Sequence, residues 1–267
     1  MRPECARAAA PYRLALPGRP LGGRLGERLG RGTGSSLEFM DYRDYVPGDD
    51  LRHVDWAACA RTDQLKVRQY REEVSPALDI LVDGSPSMAV TAEKRTALED
   101  LVEACASWTL AAGGLPRRLL GGAGPFERWS EVDGRGADDL LPRVPLRRRA
   151  MRLVVSDFLV PDDPAPRLRR LSAGASHLYV LQLLDPWEVD PQAEGEHTLV
   201  DCERSSRLDI VLDRPTLDRY RARLRRLTGA VEQAVRAIGG SYALVPAGPP
   251  GRMFREHLLT QGIVEPA

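Results

Sequence analysis

The chain has 267 residues, 43% hydrophobic and 28% charged. That suits one large domain, or one domain with a smaller attached segment, and excludes wholesale disorder. Its 38 basic and 38 acidic residues cancel to a formal charge of zero, so no global field draws it toward nucleic acid or an anionic membrane. Cys5, Cys59, Cys105 and Cys202 are scattered without a Cys-x-x-Cys pair, which argues against a zinc site or a disulfide framework. No signal-peptide pattern and no apolar run of bilayer length occurs, so a cytoplasmic protein without a membrane span is expected.

Residues 1–36 are rich in Gly, Arg and Pro and read as a loop-rich lead-in segment. The stretch Gly30–Ser35 is glycine-rich but follows no apolar strand and lacks a Gly-Lys-Ser/Thr ending, so it is not a phosphate loop. Residues 37–75 form a second segment, dense in Tyr, Trp, Asp and Arg, with a turn signal at Pro47-Gly48. It offers Asp49, Asp50, His53 and Asp55, but His53 and Asp55 lie two apart and lack the i, i+4 spacing of a zinc-protease pair. A bracing role, with Trp56 buried, is the expectation there.

From residue 76 to 267 the pattern becomes regular. Ala77–Val82 is a short apolar run ending on Asp83, which reads as a buried strand. Glu93–Ala112 has Leu98, Leu101, Val102, Cys105, Trp108 and Leu110 at helical spacing and stops at Gly113. Arg117–Gly121 is a weaker strand, Met151–Ser156 a strong one ending on Asp157, and Pro166–Leu171 a helical piece. His177–Leu184 is a further strand, ending on Asp185. Leu199–Cys202 and Arg207–Leu212 suggest a pair of added strands. Pro215–Ile238 is a long amphipathic helix whose arginines, Arg219 to Arg226, read as a solvated face. Ser241–Val245 and Met253–Thr260 supply a last strand and a closing helix.

Nearly continuous apolar strands alternating with helices imply an α/β fold, doubly wound, with a mostly parallel sheet covered on both faces. Ligands of such sheets gather at the carboxyl ends of the strands. Asp83 and Asp157 both stand there.

Asp83, Ser85 and Ser87 are spaced i, i+2, i+4, so a locally extended loop would turn their side chains one way. Gly84 permits a sharp exit from the strand, and Pro86 stiffens the loop. With Asp157 these residues make an all-oxygen set, which suits a hard cation, Mg²⁺ or Mn²⁺ ahead of Ca²⁺. So few protein charges would leave the ion an open position for an outside acidic ligand. The plain alternative is that Asp83 and the serines only cap the following turn.

The run Asp83–Met88 resembles the Asp-x-Ser-x-Ser motif of von Willebrand factor type A domains, the metal-ion-dependent adhesion site. Upstream, Glu38–Phe39, Tyr42–Asp50, Arg52, Val54–Trp56 and Ala60–Thr62 resemble the signature of a bacterial family called domain of unknown function 58. The resemblance runs from Gly30 to Met88, and Ser156–Phe158 stands where the family places its fourth-strand acid. It implies a von Willebrand factor type A-like fold, metal ligands Asp83, Ser85, Ser87 and Asp157, and a short soluble form of the family. It also implies a MoxR-type AAA+ ATPase as partner, acting with a client protein, and a non-catalytic, chaperone-like binding module. The chain departs from a complete adhesion site in one respect: the loop expected to supply a Thr ligand, Asp133–Asp138, has none and carries Arg135.

The competing reading is a Mg²⁺-dependent phosphatase-like hydrolase in which Asp83 accepts the phosphoryl group and Asp157 holds the metal. Such enzymes want an acid two residues after the first, where Ser85 stands. They also want a lysine, and Lys94 reads as out of reach inside the first helix. A serine-hydrolase elbow is excluded, since neither Ser85 nor Ser87 sits in Gly-x-Ser-x-Gly.

Overall fold

The computed structural model describes residues 1–15, 37–46, 54–62, 64–72, 76–132, 140–160, 162–192, 194–202 and 206–267. The chain forms two compact units, Arg24–Ser75 and a larger one of Met1–Gly23 with Pro76–Ala267. The expected features at Gly30–Ser35, Asp49, Asp50, His53 and Asp133–Asp138 lie outside the described residues.

The first fifteen residues are not loop. Helix α1 (Pro3–Ala9) starts with proline in its first turn and buries Cys5 and Ala9, and β1 (Tyr12–Leu14) pairs antiparallel with the C-terminal Val264–Pro266. No glycine precedes Gly18, so the glycine-rich character of the lead-in begins only after these elements. Trp108 Nε1 donates to Ala9 O at 3.0 Å, and the Arg2 guanidinium grips Asp100.

In the smaller unit, β2 (Leu37–Asp44) and β3 (Lys66–Glu72) pair antiparallel, with an irregularity between Phe39 and Asp41. Helix α2 (Trp56–Thr62) lies between them in sequence. Asp55 opens that helix: its Oδ1 accepts from Ala57 N at 3.0 Å and Ala58 N at 3.1 Å. Its Oδ2 accepts from Tyr42 Oη at 2.8 Å. Trp56, expected inside, is 64% exposed. Ala58, with Val54 and Val67, takes the buried side, leaving the first helical residue facing outward.

The larger unit continues with β4 (Ala77–Val82), a 3₁₀ turn at Pro86–Ala89, α3 (Ala92–Ala111), β5 (Leu115–Leu120), β6 (Met151–Ser156), α4 (Pro164–Ser172) and β7 (His177–Leu184). Then come α5 (Pro186–Val189), the antiparallel pair β8 (Gly195–Val200) and β9 (Arg207–Leu212), α6 (Arg214–Ala237) and β10 (Ser241–Pro246). A short turn α7 (Pro250–Arg252) runs into a π-helical stretch, Met253–Leu259, before β11 (Val264–Pro266). The pair β8–β9 forms its own sheet, rather than extending the main one.

Five strands make the main sheet, in the order β10-β7-β6-β4-β5, all parallel. Every residue of β6 and β7 is buried, which is why these strands read as nearly continuous apolar runs, broken only by buried polar residues such as Arg152 and Gln182. On one face Leu78, Ile80 and Val82 pack with Leu98, Leu101 and Cys105 of α3 and with Phe254 and Leu258. On the other, Leu81, Val154 and Val180 meet Leu168 and Leu171 of α4 and Val231 and Val235 of α6. The sheet is therefore doubly wound, as expected. Its chain order reverses between β4 and β6, the switch point where such folds place their ligands. Among the described residues no helix is long and apolar enough to cross a membrane.

Candidate metal centre

The two strands at the switch point end side by side, and Asp83 N donates to Val155 O at 3.0 Å. Asp83 Oδ1 accepts from Ser85 N at 2.9 Å, and Oδ2 accepts from Ser156 Oγ at 2.6 Å. The loop stays extended only as far as Ser85 (φ −60°, ψ 152°), and Pro86 then starts the 3₁₀ turn. Ser87 thus returns by a turn and not along an extended chain, yet its Oγ lies 2.9 Å from Ser85 Oγ. The structure brings Asp83, Ser85 and Ser87 together.

Asp157 reaches the same cleft by a sharp exit from β6. The next residue, Phe158, has φ of 51°, a left-handed conformation that costs a bulky side chain about 1–2 kcal/mol. Burial of the ring to 2% exposure and a bond from Phe158 N to Ser156 Oγ at 3.1 Å hold it there. The Asp157 oxygens are both engaged: Oδ1 accepts from Leu159 N at 3.1 Å, and Oδ2 faces Lys94 Nζ at 3.1 Å.

Lys94 is not out of reach. It is the third residue of α3, whose side chains lean toward the helix N-terminus, and that end stands over the strand ends. Its ammonium is fully buried and also contacts Glu188 Oε1 and Oε2 at 3.0 and 2.8 Å. Glu188 is fixed in turn by the capping box of α5, accepting from Asp185 N at 2.7 Å. Asp185, the third strand-end acid, caps α5 through Trp187 N and accepts from Thr91 Oγ1, the cap of α3, at 2.5 Å.

Burial, followed by the negative charge of Asp157, pushes the Asp83 carboxyl above its ordinary range, against the bonds from Ser156 and Ser85. Burial likewise raises Glu188 despite Lys94. An added cation beside Asp83 would relieve the first of these penalties. Asp83, Ser85 and Ser87 therefore fit a hard cation. Asp157 fits less directly, because Lys94 already neutralises it. Among the described residues no group of three His, Cys, Asp or Glu is placed to hold a metal, so any ion here would depend on hydroxyls and water.

The site opens into a cleft of about 470 Å³ whose wall includes Arg167, Leu159, Val200, Leu208 and the Cys202 thiol. Arg167 comes from α4 and has no hydrogen-bonding or ionic side-chain partner among the described residues. Sequence reasoning set Lys94 out of reach and gave no site role to Glu188, Ser156 or Arg167. Lys94 carried a signal as one of two lysines in a chain whose basic residues are otherwise all arginine, and Glu188 carried one only as a helix cap, through its capping-box spacing from Asp185.

The family model "Protein of unknown function DUF58" matches residues 41–119 and 115–230. Two similar proteins are the uncharacterized protein Mb1516 of Mycobacterium bovis and the uncharacterized protein Rv1480 of Mycobacterium tuberculosis. Each is 28% identical over 269 residues, covering 89% of this chain and 83% of the relative. No solved structure matches. With most of the sequence signature in the smaller unit and the strand-end site in the larger one inside the matched residues, the chain belongs to the DUF58 family.

Proposed function

We propose that the protein is a non-catalytic binding and assembly module whose cleft captures an acidic side chain of a client protein. A divalent cation, Mg²⁺ or Mn²⁺, would sit at Asp83, Ser85 and Ser87, with Asp157 supporting it through water or after release by Lys94. The acid would complete the ion's coordination, and Arg167 would pair with its charge. The work would be done with a MoxR-type AAA+ ATPase, in line with the family resemblance. One observation carries this reading: a polar, acid-and-hydroxyl floor lies beneath a rim of exposed apolar residues. Leu159, Val200 and Leu208 line the cleft and are 38%, 60% and 59% exposed, which is the anatomy of a docking surface.

The metal is tested first. Mn²⁺ or Mg²⁺ should raise the melting temperature of the wild type, by the equivalent of about 2.7 kcal/mol at a hundredfold excess over Kd. Asp83→Ala should show no rise. Equal shifts in the two proteins would remove the site. Client capture is then read by pull-down from the native host with and without chelator.

Lys94 gives the phosphatase reading one specific support, since it places an ammonium 3.1 Å from Asp157. Against it, Asp83 has Ser85 where a second acid belongs. Metal-dependent turnover of a phosphate ester that vanishes in Asp83→Ala, with no partner recovered, would favour the enzyme.

A further inference from the structure

A second cavity, separate from the Asp83 cleft, lies between the loop before β6 and the carboxyl end of α4. Its volume is about 580 Å³, and its lining includes three arginines, Arg143, Arg152 and Arg170, with no acid among the described lining residues. Arg143 and Arg170 are exposed, and neither guanidinium has a hydrogen-bonding or ionic partner among the described residues.

Arg152 differs from both. It belongs to β6, the central strand that also ends on Asp157, and is only 3% exposed. Its Nη1 donates to Leu171 O at the end of α4, while its Nε has no partner. The acid whose charge acts on it is Asp79. That carboxylate already accepts from Arg117 Nε and Nη2 at 3.0 and 2.9 Å and from Arg147 Nε and N at 2.7 and 2.9 Å. One carboxylate thus serves two guanidiniums before Arg152 is counted, and the charge of Arg152 is left largely uncompensated. Buried cations of this kind are ordinarily paired. A structural arginine that merely capped α4 would need neither the two arginines opposite it nor an open cavity in front of it.

We propose that this cavity is a binding site for a phosphate-bearing small molecule, held by Arg143, Arg152 and Arg170. Three guanidiniums with no acid among the described lining residues fit an oxyanion carrying more than one negative charge, because each planar fork can take two oxygens of a phosphate group. Arg152 would supply the fixed, desolvated contact, and the two exposed arginines would close on the ligand from solvent. A ligand here would also tie α4 to the loop before β6. Since α4 carries Arg167 on the wall of the Asp83 cleft, the two sites share one helix.

Inorganic pyrophosphate is the probe, titrated by calorimetry in EDTA at constant ionic strength, so that no divalent ion and no bulk salt effect contributes. Saturable binding is expected in the wild type and in Asp83→Ala, which leaves the metal centre out of the result. The Arg143→Ala/Arg170→Ala double variant should bind about tenfold or more weakly. Its side chains are exposed, so its fold, checked by circular dichroism, should be intact. Arg152→Met should bind more weakly still, and its melting curve separates lost binding from lost folding. Absence of saturable binding, equal affinity in the double variant, or equally tight binding of succinate would each overturn the proposal.

Discussion

Replacing Lys94 by methionine is expected to destabilise the protein by about 3–5 kcal/mol, the usual cost of stripping one partner from a buried ion pair. The ammonium has 0% side-chain exposure, and its partners Asp157 and Glu188 have 5% and 14%. Methionine keeps much of the length and the packing, so the loss reports charge and not a cavity. Without the lysine, Asp157 and Glu188 face each other with Asp83 close enough to feel the Asp157 charge. Adding Glu188→Gln to the variant should recover part of the loss, because one of the uncompensated acids is then gone. Urea unfolding measures it: the midpoint should fall with the slope m unchanged. A cost under about 1 kcal/mol would mean that water, and not Lys94, balances these acids.

The same variant bears on the proposed metal. Lys94 neutralises the Asp157 carboxylate, which an ion at Asp83, Ser85 and Ser87 could otherwise draw on. Lys94→Met should therefore gain more stability from Mn²⁺ than the wild type does. A built-in ammonium would then be read as holding the site together when no ion is bound. A smaller metal response in the variant would show that the lysine organises the ligands and does not compete for them.

Much of the fold was legible because β4, β6 and β7 are nearly continuous apolar runs, each closed by an acid: Asp83, Asp157 and Asp185. Hydrophobic run length reports burial on both faces, and burial on both faces means a parallel sheet. The pairing of Asp83 with Asp157 followed from the same pattern. What lies across space did not. Helical periodicity sets the face Lys94 occupies on α3, but not that the N-terminus of α3 stands over the end of β6. Glu188 was legible as a cap, since Asp185-Pro186-Trp187-Glu188 has capping-box spacing, yet nothing local joins it to a lysine 94 residues away. Trp56 was misplaced inside because aromatic residues usually are buried. The helix α1 was overlooked because the glycines after it coloured the whole lead-in, although Pro3 and the alanines beyond it favour a helix.

Asp79→Asn is expected to cost about 3 kcal/mol, at the lower end because Arg117 and Arg147 are 28% and 29% exposed and keep some water. The carboxylate itself is fully buried and accepts four bonds from those two residues. An asparagine keeps the shape but turns a donor amide toward donor guanidiniums. The pH dependence gives the sharper test. Burial alone would raise the Asp79 pKa, but the bonds from Arg117 and Arg147 outweigh it and hold the native value below the ordinary one. The unfolded chain then binds the proton more readily than the native one, so stability rises with pH across that interval. The contribution is complete above the unfolded pKa of about 3.9 and is lost as pH falls through the lower native value. The difference in unfolding free energy between wild type and Asp79→Asn should accordingly shrink below about pH 4; a difference that stays constant down to acid pH would mean that Asp79 acts by shape alone. Arg147 also donates its backbone N–H to Asp79, which ties the loop carrying Arg143 to β4. Loosening that tie should weaken pyrophosphate binding at the arginine cavity as well, although Asp79 itself does not line it.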